Sequence, residues 1–478
     1  MSRRTARRTT STSLKIPNRL KTLAVFGLAL LPIMPMLPAQ ADDAVFETAL
    51  RPLPGEEASG GSTTVFDRGH GAFGRALENL DPSRWPAMRA GKRLVDSPWG
   101  QGPRQGLGPR FNTVSCSGCH FRDGRGAPPK AMMAPPEPAP LIARLRSTDG
   151  KPDPVYGAQL NDHGVGVPGE GRLDARWTEI LWRSEDGEEF YLRRPEARVH
   201  DLTLGPTADE TRVDLRVPPT LVGLGLLEAV PVETLEASAD PDDLDGDGVS
   251  GRLRRVRNNE VGRFGWTAAQ PNLRDQVAAA FLEDIGITSE LQPVANCSPD
   301  DEACRRSAGA DVELSEYQLD RVALYTRLLA PPARRDWTDP QVLEGRELFA
   351  QIGCASCHIP SLRTVTAAQA EERGILPELA DQTIRPFTDL LLHDLGPDLA
   401  DGGREDGVEP GEWRTAPLWG LGLQERVNGH LSLLHDGRAR TFEEAVLWHG
   451  GEASSSRRAY VDLSLEERES LLRFLQSL

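Results

Sequence analysis

The chain of 478 residues has little with which to cross a membrane. Its one apolar run, residues 22–37, is broken by Pro32 and Pro35 and is shorter than the ~20 residues a spanning helix needs. Positive charge is also short: 55 Lys and Arg face 71 Asp and Glu, a formal charge of -16. That balance argues against nucleic acid and anionic lipid as partners. Methionine is scarcer still. Of six, Met1, Met34 and Met36 lie in the N-terminal segment, and Met88, Met132 and Met133 complete the set, so residues 331–478 contain no thioether side chain. Only six cysteines and nine histidines are present, which makes their clustering informative.

Four of those cysteines and two of those histidines fall into two copies of Cys-x-x-Cys-His, Cys116-Ser117-Gly118-Cys119-His120 and Cys354-Ala355-Ser356-Cys357-His358. This is the attachment pattern of c-type haem. Two thiols at this spacing add to the two vinyl groups of one porphyrin, and the histidine beside the second thiol reaches the iron. Cys116, Cys119, Cys354 and Cys357 are therefore expected to form thioethers, with His120 and His358 as proximal ligands of two covalent haems. Zinc half-sites share part of this spacing, but two complete pentapeptides in one chain favour haem.

Covalent haem attachment in bacteria takes place outside the cytoplasm, and the N-terminus reads accordingly. Arg3, Arg4, Arg7, Arg8, Lys15, Arg19 and Lys21 precede the apolar run, and Ala39-Gln40-Ala41 offers a small-x-small cleavage site. Residues 1–41 are expected to be a signal peptide directing the chain to the periplasm, a retained anchor being the alternative; no other segment reads as a membrane span. Removing the seven basic side chains of this segment, which has no acidic ones, moves the formal charge from -16 to -23. In an oxidising compartment the remaining cysteines, Cys297 and Cys304, are expected to pair locally, with two free thiols as the other outcome.

The motifs lie far apart and imply two haem-centred units. The fold class expected is mainly α: two cytochrome c-like haem domains, the first enlarged by a long irregular insertion with a few short strands. Residues 42–330 would form the N-terminal haem domain with its insertion and an acidic loop, and residues 331–478 the C-terminal cytochrome c-like haem domain, with the boundary at Ala330-Pro331-Pro332-Ala333. Residues 340–351 show helical spacing of Val342, Leu343, Leu348 and Phe349 before the second motif, and Ser464 with Glu467 forms a capping box ahead of Leu465, Leu471, Leu472, Leu475 and Leu478. Gly91-Lys92-Arg93-Leu94-Val95 echoes Gly345-Arg346-Glu347-Leu348-Phe349, so the first unit is expected to open with a similar helix. The region 128–296 is rich in Gly, Pro and short β-prone runs. Within it, Asp243, Asp245 and Asp247 with Gly246 and Gly248 match the start of a calcium loop, although the twelfth position is Arg254 and not Glu, so this is not an EF-hand. A calcium ion or a solvated acidic turn are the two readings.

With these residues placed, the chain resembles the bacterial di-haem oxidoreductase family, sometimes labelled thiol oxidoreductases. The resemblance rests on Gly106-Leu107-Gly108-Pro109-Arg110-Phe111-Asn112 and the first haem motif, Arg122-Asp123-Gly124-Arg125-Gly126, Asp153-Pro154-Val155-Tyr156-Gly157, Gly223-Leu224-Gly225-Leu226-Leu227-Glu228-Ala229, Gly262-Arg263-Phe264-Gly265-Trp266 and much of residues 388–451. It implies a periplasmic two-haem protein related to the di-haem cytochrome c peroxidases. Those peroxidases are resembled most in Arg414-Thr415-Ala416-Pro417-Leu418 and in His435-Asp436-Gly437, followed by Thr441-Phe442-Glu443-Glu444-Ala445-Val446. There a methionine fourteen residues beyond the His-Asp-Gly histidine is the distal iron ligand, whereas His449 takes that place here. Methionine raises the potential of a haem and a second imidazole generally lowers it. By the same resemblance Arg414, His435 and His393 stand near haem propionates. No motif surrounds His70, His163, His200 or His430, which read as ordinary surface or core histidines.

No sixth ligand for the first haem emerges from the sequence. An open iron site suits a peroxidase, which also needs a nearby acid or base; Glu170 and Glu228 are the candidates. The expected function is reduction of hydrogen peroxide with electrons relayed between two covalent haems, supplied by a periplasmic donor such as a small cytochrome or a cupredoxin. A non-enzymatic di-haem electron-transfer cytochrome is the alternative. A third reading, an enzyme that uses peroxide-derived oxidising equivalents on another protein, keeps the same two haems.

Overall fold

A computed structural model of the chain describes residues 51–100, 106–127, 141–298, 300–308 and 311–478. The expected signal peptide at 1–41, Met132 and Met133 lie outside the described residues.

The first half opens with the helix Trp85–Asp96, which packs across Glu316–Arg327, a helix held at its start by a reciprocal capping box between Ser315 and Gln318. The crossing is close because of Gly91. A Cβ at this position would lie 2.3 Å from the Arg321 carbonyl oxygen and 2.6 Å from Tyr325 Cβ. The second half uses the same solution. Pro340–Gln351, N-capped by Asp339, packs on Leu465–Ser477, whose capping box is the Ser464 and Glu467 pair expected from the sequence. At Gly345 a Cβ would meet the Ser470 carbonyl oxygen at 1.9 Å and Phe474 Cβ at 2.8 Å. The echo between the two pentapeptides thus marks two helix crossings, each made at a glycine.

Thirteen α-helices are found among the described residues, together with five two-stranded antiparallel pairs. Most pairs are short, but Arg172–Arg183 and Glu189–His200 form a twelve-residue hairpin registered from Arg172↔His200 to Arg183↔Glu189. Strand alternation divides its contacts. Leu173, Ala175, Trp177 and Ala197 pack beside the pair Ile142–Ser147 and Thr211–Arg216, whereas Ile180, Trp182, Phe190 and Leu192 join the core of the second half. The hairpin therefore straps the insertion to the second half. The end of the expected insertion is helical and not irregular. Asn272 caps Leu273–Ile285, and Leu273, Val277, Phe281 and Ile285 recur at helical spacing before Gly286 ends the helix at φ +73°.

Core packing runs across the midpoint of the chain. One cluster joins Phe73, Leu226, Phe281 and Tyr325 to Ile384, Trp419 and Val427. The segment expected as a boundary is buried: the Ala330 N–H donates to the Arg75 carbonyl at 2.9 Å, and the Ala333 N–H to the Val65 carbonyl at 2.9 Å. Cys297 and Cys304 form a disulfide with Cα atoms 5.7 Å apart. Among the described residues no helix is long and apolar enough to cross a membrane.

Candidate functional site

The helix Pro340–Gln351 gives way to Gly353 at φ +86° and a tight turn Cys354–Ser356, which carries the second motif into a cavity of about 220 Å³. Cys354, Cys357, His358 and His449 all line it, with an apolar wall that includes Phe349, Leu399, Leu418, Leu471 and Leu475. His449 arrives as the C-cap of Phe442–Trp448, a helix started by the Thr441 hydroxyl. The His358 Nδ1 lies 2.8 Å from the Phe387 carbonyl, and the His449 Nδ1 2.7 Å from the Ala445 carbonyl. A carbonyl only accepts, so both rings carry their proton on Nδ1 and keep the Nε2 lone pair for a metal, the usual second contact of a ligating histidine. Burial drives both rings toward the neutral form, His358 down to about 4 and His449 below its usual value. Neutral imidazole is the form that binds iron.

Polar groups gather on another part of this wall. The Arg414 Nε donates to the Gly265 carbonyl at 2.9 Å and its Nη1 to the Thr415 carbonyl at 3.0 Å. His435 stacks on Trp413 with ring centres 3.7 Å apart, and burial followed by the fields of Arg216, Arg438 and Arg125 keeps it neutral. His393 differs. Its Nε2 lies 2.8 Å from Asp389 Oδ2 and its Nδ1 2.7 Å from Glu452 Oε2; burial pulls its pKa down, but these carboxylates and the Cys357 thiol carry it up to about 12. With both nitrogens engaged it is an imidazolium, not an iron ligand. Arg125 and Trp266 also line the cavity and were not singled out from the sequence as site residues. The signal was Arg-Asp-Gly-Arg-Gly after the first motif, whose destination in the other half no local pattern reveals.

At the first motif Ser115 caps the turn Cys116–Cys119, and the His120 Nδ1 lies 2.8 Å from the Pro219 carbonyl; burial lowers its pKa. The nearby acid is one that sequence reasoning missed. The Asp284 carbonyl accepts from the Asn112 N–H at 2.8 Å and the Thr113 N–H at 3.1 Å, and its Oδ1 accepts from Gln159 Nε2 at 2.9 Å. Burial pushes Asp284 up to about 6, and its charge stands next after burial in raising both Cys116 and Cys119. Glu170 is also buried: burial carries it up to about 7, Oε2 accepts from the Asn161 N–H at 2.7 Å, and Oε1 has no hydrogen-bond partner. Glu228 is fully engaged by the fold, taking Arg327 Nε at 2.5 Å and Nη2 at 3.0 Å and the Leu273 N–H at 2.8 Å.

Asp243, Asp245 and Asp247 do converge, with one ligand atom of each within 4.8 Å of the others, and they also accept loop N–H bonds from Gly248, Asp247 and Val249 respectively. The remaining histidines have local partners: His70 the Arg426 carbonyl, His163 Asp162, His200 Asp201 and His430 Ser432.

An apolar cavity that receives two thiols and two neutral imidazoles, edged by buried guanidinium groups, has the lining chemistry of a porphyrin site with carboxylate arms, and it defines a haem-binding protein. The sequence profile of the family described as "di-haem oxidoreductase, putative peroxidase" matches residues 55–137 and 196–478, and the chain belongs to that family. The match passes over residues 138–195, which hold Gln159, Glu170 and most of the hairpin. No curated protein matches the chain.

Proposed function

We propose that this chain is a periplasmic di-haem c-type peroxidase, exported by residues 1–41, with cytochrome c-like units around each motif. The convergence of Cys354, Cys357, His358 and His449 on one cavity carries this reading. Cys116, Cys119, Cys354 and Cys357 would hold the two haems through thioether bonds, and His120, His358 and His449 would offer their imidazoles to the irons. Bound haems supply irons that each change oxidation state by one electron. Hydrogen peroxide takes up two electrons and two protons to give two waters, so the chain's own residues would have to supply protons at the first motif.

Proton handling falls to Asp284, whose pKa of about 6 lies near the working range of a general base and whose carboxyl is oriented by Gln159. Glu170 is a second buried acid; Glu228 positions the start of Leu273–Ile285 through its ion pair with Arg327. The electron donor is a small periplasmic cytochrome or cupredoxin. A calcium ion at Asp243, Asp245 and Asp247 would relieve the repulsion of three clustered carboxylates.

The test combines haem content with turnover. Denatured protein should keep its Soret absorbance and show added mass for two haems. The native protein should oxidise two molecules of reduced cytochrome c per peroxide. Loss of colour on acid-acetone extraction contradicts covalent attachment, and electron exchange without peroxide consumption favours the electron-transfer cytochrome.

A further inference from the structure

Arg125 stands five residues beyond His120, yet it lines the cavity of the second motif. The side chain is buried at 8% exposure, its guanidinium carbon lies 5.0 Å from the Trp266 ring centre, one Nη donates to the Leu434 carbonyl, and Nε has no hydrogen-bond partner. Asp436, the acid whose field reaches it, is committed to Arg438 Nε at 2.7 Å. A buried guanidinium with a vacant donor is costly unless an anion completes it. Its planar fork matches a carboxylate.

The loop bearing Arg125 is tied to both sites. The Arg125 N–H donates to Asn428 Oδ1 at 3.2 Å, while the Gly126 N–H donates to the Pro218 carbonyl at 3.0 Å. The next residue, Pro219, accepts the His120 Nδ1 proton. On the far side Trp266 Nε1 donates to the Val217 carbonyl at 2.9 Å, so residues 217–219 join the first proximal histidine to the wall of the second cavity.

We infer that Arg125 is a carboxylate-binding arm, carried by the first motif's loop, that takes a propionate of the second haem and places a positive charge which sets that haem's redox equilibrium. The inference rests on the proposed function only in requiring a haem at each motif. A cation beside a haem favours the form holding the extra electron, so losing it should lower the second haem's potential.

The experiment is a spectroelectrochemical titration of wild type, Arg125→Gln and Arg125→Lys holoprotein, with haem content and low-temperature EPR on each. Arg125→Gln should keep both haems and shift the His358/His449 haem toward the ferric form at least tenfold, about 59 mV for one electron, with a smaller shift at the His120 haem. Arg125→Lys, which keeps the charge without the fork, should recover about half of that shift. If the Gln variant loses haem, the Lys variant decides: a shift of about threefold is expected, and none overturns the inference. Two retained haems with the second unshifted in Arg125→Gln, or a shift confined to the first, also overturns it and leaves the proposed function standing. Fewer than two haems in the wild-type chain overturns both.

Discussion

Gly345→Ala should damage the second haem site from a distance. The added methyl carbon would sit 1.9 Å from the Ser470 carbonyl oxygen and 2.8 Å from Phe474 Cβ, where ordinary carbon contacts are about 3.5–4 Å. The obstacle is backbone, so Pro340–Gln351 and Leu465–Ser477 must separate. Overpacking of this kind costs about 1–3 kcal/mol or more, whereas alanine in place of glycine gains a helix only about 1 kcal/mol. The steric cost wins. Phe474 packs on Phe387 at 5.7 Å between ring centres, and the Phe387 carbonyl holds the His358 proton, so the displacement reaches the proposed ligand His358 through two aromatic rings. Thermal unfolding followed by the Soret band should fall by a few degrees, at roughly 2–4 °C per kcal/mol, and the low-spin EPR signal of the second haem should broaden while the first haem's is preserved. A melting midpoint at or above the wild-type value with an unchanged signal would refute this account of the crossing.

Other perturbations separate the roles of individual residues. His449→Ala should turn the second haem high-spin and block electron delivery to the first, while His430→Ala leaves the spectrum intact; an unchanged bis-imidazole signal in His449→Ala would reject the ligand assignment. Burial lifts Asp284 to about 6 from a free value of 3.8 against the opposing Gln159 hydrogen bond, with Glu283 adding to the rise and Arg144 reducing it, so the fold binds this proton more tightly and loses stability as pH rises between those values. Asp284→Asn should flatten that decline and remove the rise of peroxide reactivity through about pH 6, and an unaltered profile would exclude Asp284 as the base. Calcium added to chelator-treated protein should raise the melting temperature, and Asp245→Asn should abolish the rise; no shift in wild type means a solvated acidic turn.

The parts of the molecule governed by local chemistry were readable in advance. Helical spacing and the Ser464 box located both helices of the second crossing, and the run before His449 is the helix that carries it to the cavity. The acids were harder to read. Glu228 stood in a recognisable motif but serves an ion pair with Arg327, ninety-nine residues away in sequence, and Asp284 ends a helix with no motif around it. Arg125 shows why: its surroundings are supplied by Trp266 and Leu434, contacts created only by tertiary packing between the halves. The same holds for the hairpin, whose apolar and polar alternation marks strands without saying that Trp182 and Phe190 rest against the second half.

The central claim is that two covalent haems sit in unlike coordination, one with a ligand pair and one open to peroxide. A low-temperature EPR spectrum of the fully oxidised protein, with spins integrated against haem content, tests it most directly. The account predicts one low-spin signal from the His358/His449 haem and one high-spin signal from the His120 haem in equal amounts. Two low-spin signals of equal weight, unaltered by peroxide, would contradict it.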